Sequence, residues 1–520
     1  EMAIQSDLGL LLLLPILPVL LVLIQKRKRQ RGDGPRPKLP PGPPRLPIVG
    51  NLHQLGKIPH RTLWELSKQY GPIMQLQLGG VPTVVVSSAH MAREILKTHD
   101  LDLCSRPAMI ALKRFSYNYS DVAFSPYSTA WREQKKLLVL KLLHTRKVDG
   151  FRQVREEEVE GMMSSISSLA SLSKPVNLSE LLHILSYNIT CRAAFGQRFY
   201  CGGQAPGQEN RFHSILHETQ ALLVGLFVGD YFPWAEWVDV LSGQRGRLDK
   251  NFAELDAFYQ EVIEAHVSKK KPIQDEEDFV DVLLRLQRED AHLTQDHIKG
   301  VFMNVLLGGT DTSSAALEYA MAELVRNPSA MVRAQEEVRS TVGNKGKVEE
   351  RDISQFSYVK CVVKETLRLH PVAPLLAPHE AMSHINIDGY DLPAGTRVIV
   401  NAWAIGREPA SWEKPEEFIP EKFLNSDVDF KGHDLMYIPF GAGRRACPGV
   451  PFGILTVELA LSNLLYAFDW EVPDGMRKED ISMEEAAGIA IHLKTNLLLK
   501  AVLPDATTIE KTRKNRAVLA

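Results

Sequence analysis

The chain has 520 residues and little of what marks several classes of protein. Its five cysteines, Cys104, Cys191, Cys201, Cys361 and Cys447, are odd in number and scattered, with no C-x-x-C pair. That excludes a disulfide framework and a cysteine-rich zinc site, and it suits a reducing compartment. Neither sign of charge is in excess: 61 Lys and Arg stand against 63 Asp and Glu, a net charge of −2. Without a basic surplus, nucleic acid is not an expected partner. No internal repeat or shift in composition divides the chain, so one domain with a single large core is expected. Long apolar runs are scarce as well. The uncharged run at residues 8–24 is interrupted only by Gly9, Pro15 and Pro18.

Lys26, Arg27, Lys28, Arg29 and Arg31 follow that run, whereas Glu1 and Asp7 precede it. A cleaved leader would carry its positive charge ahead of the apolar stretch. The observed polarity predicts a signal anchor over residues 1–31, with all that follows on the cytosolic side. An amphipathic helix lying on the bilayer would need a polar face, which the run lacks. The sequons at Asn118, Asn177 and Asn188 are therefore expected to stay unglycosylated. Residues 32–50 include Leu39-Pro40-Pro41-Gly42-Pro43-Pro44-Arg45-Leu46-Pro47, a semi-rigid spacer or, alternatively, a PxxP ligand. Residues 51–503 read as the globular domain. Residues 504–520, with Lys511, Arg513, Lys514 and Arg516, read as a polar tail.

Apolar periodicity predicts helices over residues 91–97, 131–143, 151–172, 178–195, 247–269, 278–288, 294–326, 328–342, 356–369 and 452–467. Strands are expected on either side of Gly79-Gly80, over 385–405 around an Asp388-Gly389 turn, and near 492–502. The fold class is thus mostly α with small peripheral β-sheets.

Five stretches carry chemistry. Pro439-Phe440-Gly441-Ala442-Gly443-Arg444-Arg445-Ala446-Cys447-Pro448-Gly449 places one thiol after a glycine-rich turn and just ahead of a helix, whose first free N–H groups favour a thiolate. Such a thiolate is a nucleophile or a metal ligand. Gly441, Gly443 and Ala446 also spell G-x-G-x-x-A, but no βαβ unit follows to make a dinucleotide site. A merely structural cysteine would leave Arg444 and Arg445 without the anion their burial requires. Gly308-Gly309-Thr310-Asp311-Thr312-Ser313 interrupts the longest helical pattern, where each glycine costs about 1 kcal/mol relative to alanine. A close-packed helix crossing or the approach of a flat cofactor would compensate. Glu365 and Arg368 are three apart on one helix and can pair, on a solvated face or in a core. Trp131-Arg132 opens an amphipathic helix with donor-only side chains, and His379 follows Arg368 by eleven residues.

Together these stretches resemble, in order and spacing, the motifs of the cytochrome P-450 family, and most of all its plant microsomal members. Phe440, Gly443, Arg445, Cys447 and Gly449 fit F-x-x-G-x-R-x-C-x-G, and residues 308–313 fit [AG]-G-x-[DE]-T-[TS]. Glu365 and Arg368 fit E-x-x-R, and Trp131 and Arg132 fit W-R-x-x-[RK]. The resemblance implies the cytochrome P-450 fold behind a single membrane anchor, and haem b with Cys447 as the axial thiolate and metal ligand. It implies haem contacts from Trp131, Arg132, His379, Phe440, Arg445 and Gly449, and proton delivery by Asp311 and Thr312. Glu365 and Arg368 would be structural, completed by the third residue of P-E-R-F. That position is Lys422 here, and lysine cannot offer arginine's fork.

By position, Phe115, Phe124, Leu306, Val372, Ala373, Leu376 and Ile489 would line an apolar substrate pocket. The implied activity is monooxygenation of a lipophilic plant small molecule, a terpenoid, phenolic or alkaloid, with O2 and NADPH-derived electrons. No flavin or nicotinamide site is visible, so the electrons would come from the NADPH-dependent reductase of the endoplasmic reticulum membrane, or from cytochrome b5. Lys135, Lys136 and Arg444 are the expected docking patch or an ordinary solvated face. A redox-neutral haem enzyme and a non-enzymatic haem-binding membrane protein are the alternatives.

Overall fold

The computed structural model describes residues 38–199, 211–268, 277–290 and 292–504. The expected anchor, the hinge up to residue 37, Cys201 and the tail from residue 505 lie outside the described residues. The chain divides into two units, residues 1–39 with Asn386–Asp391, and Pro40–Ile385 with Leu392–Ala520. In the small unit, Asp388 and Gly389 both have positive φ, the geometry of a tight hairpin turn. Lys38 N–H donates to the Asp391 carboxylate at 2.8 Å.

In the large unit, helices Leu178–Phe195, Ser357–Leu369 and Val450–Ala467 bury most of their length around Asp311–Arg326. Val450–Ala467 is apolar enough to cross a membrane, but 56% of it is buried inside the protein, as befits a core helix. Two apolar clusters form the core. One gathers Ala315 to Val325 with Val338, Val362, Leu461 and Leu464. The other gathers Phe195, Phe212, Phe258 and Phe302 with Ile298 to Leu307.

The stretch expected as one helix over 294–326 is two, Gln295–Gly309 and Asp311–Arg326. The break at Thr310 falls where the chain passes from one cluster to the other. Residues 131–143 begin as Thr129–Leu137 and end in the π turn Leu138–Leu142. Helices Pro59–Tyr70 and Arg211–Val224 were not anticipated.

The largest sheet has four strands. Ile73–Leu78 and Val81–Val86 form the expected hairpin, with Gly79 at φ 58°. Arg397–Val400 runs parallel to Val81–Val86, and His379–Glu380 pairs antiparallel with it on its other edge. This sheet edge brings residues 377–380 up to the loop that holds Arg106.

Candidate active site: a cavity with a cysteine in its wall

The cysteine loop folds on itself. Gly441 N–H donates to Ile438 O and Cys447 N–H to Phe440 O, both at 3.0 Å. Gly443 has φ 68°, and a Cβ there would meet Leu96 O at 2.4 Å, so only glycine fits. The turn delivers Cys447 to the start of helix Val450–Ala467, with Gly449 as its N-cap. Burial pushes the Cys447 thiol up, while the amides of Gly449 and Val450 and the charge of Lys135 oppose the rise. The side chain is open to a cavity. A thiol so placed ionises when a cation replaces its proton.

That cavity has a volume of about 320 Å³. Asn304, Gly308, Gly309 and Thr312 of the interrupted helix line it, as do Phe440, Arg445, Cys447 and Gly449. The two glycines differ. A Cβ on Gly309 would lie 2.6 Å from Thr190 Oγ1, so this glycine permits the helix crossing; a Cβ on Gly308 would meet nothing within 4 Å. At the break, hydroxyls add bonds to the helix carbonyls, and Leu306 O keeps the Thr310 N–H at 3.2 Å. Thr312 Oγ1 donates to Gly308 O at 2.6 Å, and Thr310 Oγ1 donates to Leu306 O at 2.9 Å.

One wall of the cavity holds donors. The Trp131 indole N–H donates to Val122 O at 2.8 Å. Arg445 lies over the Trp131 ring at 3.9 Å and spreads its fork over the carbonyls of Cys104, Val122 and Ser125. Arg106, which carried no sequence signal, donates to Ala377 O at 2.6 Å and Pro378 O at 2.8 Å. Burial lowers Arg106 to about 9 and Arg445 to about 10. Among the described residues neither guanidinium is in a salt bridge; both bond to backbone carbonyls. Lys135, one turn beyond Trp131, also lines the cavity and donates to Arg444 O. Lys135 thus reaches the cavity, while Arg444 pairs with Asp100 at 3.2 Å.

The other expected residues fall in three groups. Arg132 is exposed and outside the cavity wall, because one residue along a helix turns the side chain by about 100°. His379 is buried behind the wall, with Nδ1 2.9 Å from Leu103 O, and burial beside Arg106 holds it down at about 3. Of the expected pocket residues, Val372 lines the cavity. Phe115, Phe124, Leu306 and Ile489 pack in or against the second apolar cluster instead. Ala373 and Leu376 lie half-buried outside the wall. Val122, Leu138, Ala193, Phe279, Val305 and Phe452 line it and were not anticipated.

Glu365 and Arg368 are buried, not on a solvated face. Arg368 holds both carboxylate oxygens at 2.6 and 2.7 Å and caps the carbonyls of Gly406, Pro415 and Glu417. Lys422 Nζ adds one bond to Glu365 at 3.0 Å and gives its others to Lys414 O and Glu417 O.

An apolar cavity with one cysteine, a buried and a half-buried guanidinium and an indole N–H suits a flat macrocycle that carries carboxylates and a metal. Known proteins agree. The family model described as cytochrome P-450 matches residues 40–499. Cytochrome P-450 71A1 of Persea americana is 51% identical over 87% of this chain and 91% of its own length. Strychnine-11-hydroxylase of Strychnos nux-vomica is 48% identical over 92% of this chain and 94% of its own. A zebra fish cytochrome P-450 solved with abiraterone superposes with a TM-score of 0.72 at 24% identity, covering 86% of this chain and all of that one.

Proposed function

Because the chain belongs to the cytochrome P-450 family, we propose that Cys447 is the residue that supplies its thiolate ligand. The family's enzymes are monooxygenases of haem b on a cysteine thiolate, and this chain is one, acting on plant small molecules with O2 and NADPH-derived electrons. One observation carries the assignment of Cys447: among the described cysteines it lines the cavity, while Cys104, Cys191 and Cys361 are buried in packing away from it.

The haem, when bound, supplies the reductive activation of O2 that puts one oxygen atom into an organic substrate. The chain does the rest. Arg106, Arg445, Trp131 and Lys135, on one wall of the cavity, would bind the carboxylates of the group. Gly308 would leave it room, and Phe440 and Phe452 line the cavity with Cys447. Thr312 holds its Oγ1 proton against Gly308 O at the cavity wall, and Asp311, its chain neighbour behind the wall, would resupply it.

The substrate is a lipophilic metabolite of terpenoid, phenolic or alkaloid type. Val305, Ala316, Leu367 and Val372 give the cavity an apolar lining, and a relative 48% identical is named for hydroxylating an alkaloid. Electrons come from the NADPH-dependent reductase, with cytochrome b5 as a second donor. Residues 51–503 are the catalytic domain, held at the cytosolic face of the endoplasmic reticulum by residues 1–31.

The test is the carbon monoxide complex of the reduced full-length protein. A red-shifted Soret band of the thiolate type is expected, and Cys447→Ala removes it while the chain stays folded by circular dichroism. An unshifted band in folded wild-type protein overturns the assignment.

A further inference from the structure

Asp311 opens helix Asp311–Arg326 and is buried, yet its carboxylate is absent from the cavity wall that Thr312 lines. The carboxylate faces the other way. Its Oδ2 accepts from Gln220 Nε2 at 2.5 Å. Its Oδ1 is buried without a hydrogen-bond partner, and Nδ1 of His183 lies 3.6 Å away. A buried carboxylate oxygen with no donor is costly, so the position calls for a proton or for a donor that can move in.

His183 can be both. Its side chain is 38% exposed, so one side of the ring meets water while the other faces Asp311. Every element around Asp311 contributes titratable groups here. Helix Leu178–Phe195 brings His183 and Tyr187, helix Arg211–Val224 brings His213 and His217, and strand His492–Leu493 brings His492. The His213 ring meets that of His183 edge-on at 5.9 Å, and His217, one turn further, is exposed. Among the described residues, no lysine or arginine forms a salt bridge with Asp311.

We propose that His183 is the proton inlet of the active site, passing protons from solvent to Oδ1 of Asp311, which with Thr312 supplies the cavity. In the step the His183 Nδ1–H bond breaks and the Asp311 Oδ1–H bond forms, while Nε2 takes a proton from a solvent hydronium ion, which leaves as water. One proton moves inward and no electrons move. The two ring nitrogens let imidazole accept on one side and donate on the other. The energetics agree with the geometry. Burial, with His213 and His217 nearby, holds His183 down at about 4, and burial pushes Asp311 up from its usual range. The two shifts run toward each other, which eases exchange of a proton between the groups. Gln220 keeps the carboxylate turned toward His183.

The inference rests on the oxygenase reading, so the thiolate-type carbon monoxide band of the wild-type holoenzyme is recorded first and checks that reading independently of His183. His183→Phe and His183→Gln are then compared with wild type in the full-length holoenzyme with a reductase, on a substrate found by screening. Both variants should keep the band and melting temperature. The share of NADPH electrons lost to hydrogen peroxide should rise several-fold, and the solvent isotope effect on product formation should increase. The deficit should shrink toward acid pH, where protons reach Asp311 without the relay. A readout apart from turnover is the magnetic-resonance titration of the His183 ring in the carbon monoxide complex, whose midpoint should move in Asp311→Asn. Unchanged coupling and isotope effect in either folded variant, or a His183 midpoint indifferent to Asp311→Asn, overturns the proposal.

Discussion

Two buried carboxylates show how differently the same fold treats the same charge. Glu365 is saturated: Arg368 grips both of its oxygens, and Lys422 and the Ile419 N–H bond Oε1 as well. Asp311 is left short, with one oxygen on Gln220 and the other without a donor. A saturated ion ties its own helix to residues 419–422. An under-bonded one stays ready to gain or lose a proton, which is the property a reaction can use.

The largest effect should come from breaking the saturated cluster. Glu365→Ala leaves the buried Arg368 guanidinium uncompensated and should cost about 3–5 kcal/mol, read by chemical denaturation of the full chain. Asp311→Asn should do the opposite, leaving the melting temperature near wild type while slowing product formation by about 10²-fold, read by single-turnover kinetics. If both variants lost stability alike, the contrast between a structural and a reactive carboxylate would fail.

The two glycines of the break sharpen the contrast further. Gly309→Ala drives a Cβ onto Thr190 and should cost about 1–3 kcal/mol. Gly308→Ala meets no protein atom, so the chain should be no less stable and gains about 1 kcal/mol in helix propensity, with the penalty appearing in haem affinity. Thermal melts with and without haem separate the two.

The smallest effect concerns pH. Glu485 is a second well-bonded carboxylate: burial raises it, but the bonds from His60 and Arg61 outweigh burial and bring it from an ordinary 4.5 to about 2. A depressed folded pKa contributes stability that is complete above 4.5 and is lost as pH falls toward 2. After allowance for screening this is on the order of 2 kcal/mol. Glu485→Gln should flatten that part of an acid-denaturation curve. Asp311, shifted the other way, should not contribute to it.

Legibility followed how local each feature is. The turn that presents Cys447 and the glycines of the break are consecutive residues, and their steric demands can be read from the chain. Helix Leu178–Phe195 was legible to the residue because its ends are marked by Asn177, whose side chain caps Glu180 N–H, and by Gly196 at φ 68°. The break at Thr310 was not, since hydroxyl side chains bond the carbonyls there while the apolar pattern runs on. Arg132 and Lys135 show the limit of a motif read as a string. The residue beside Trp131 points to solvent, and the one a full turn away shares its face. Phe115 looked like pocket lining from its position, yet it is fully buried against Phe252.

The sequence alone settles which groups the protein has to work with: a thiol at a helix start, glycines where a cofactor needs clearance, and an acid beside an alcohol. These depend on neighbours along the chain, whose geometry is set by covalent bonds. Which guanidinium faces the cavity, which carboxylate is left a bond short, and which histidine lies beside it were decided only by the tertiary structure. Arg106 meets the carbonyls of Ala377 and Pro378 across 271 and 272 residues. Such meetings follow from how helices and sheet pack to bury apolar surface, and no local pattern records them.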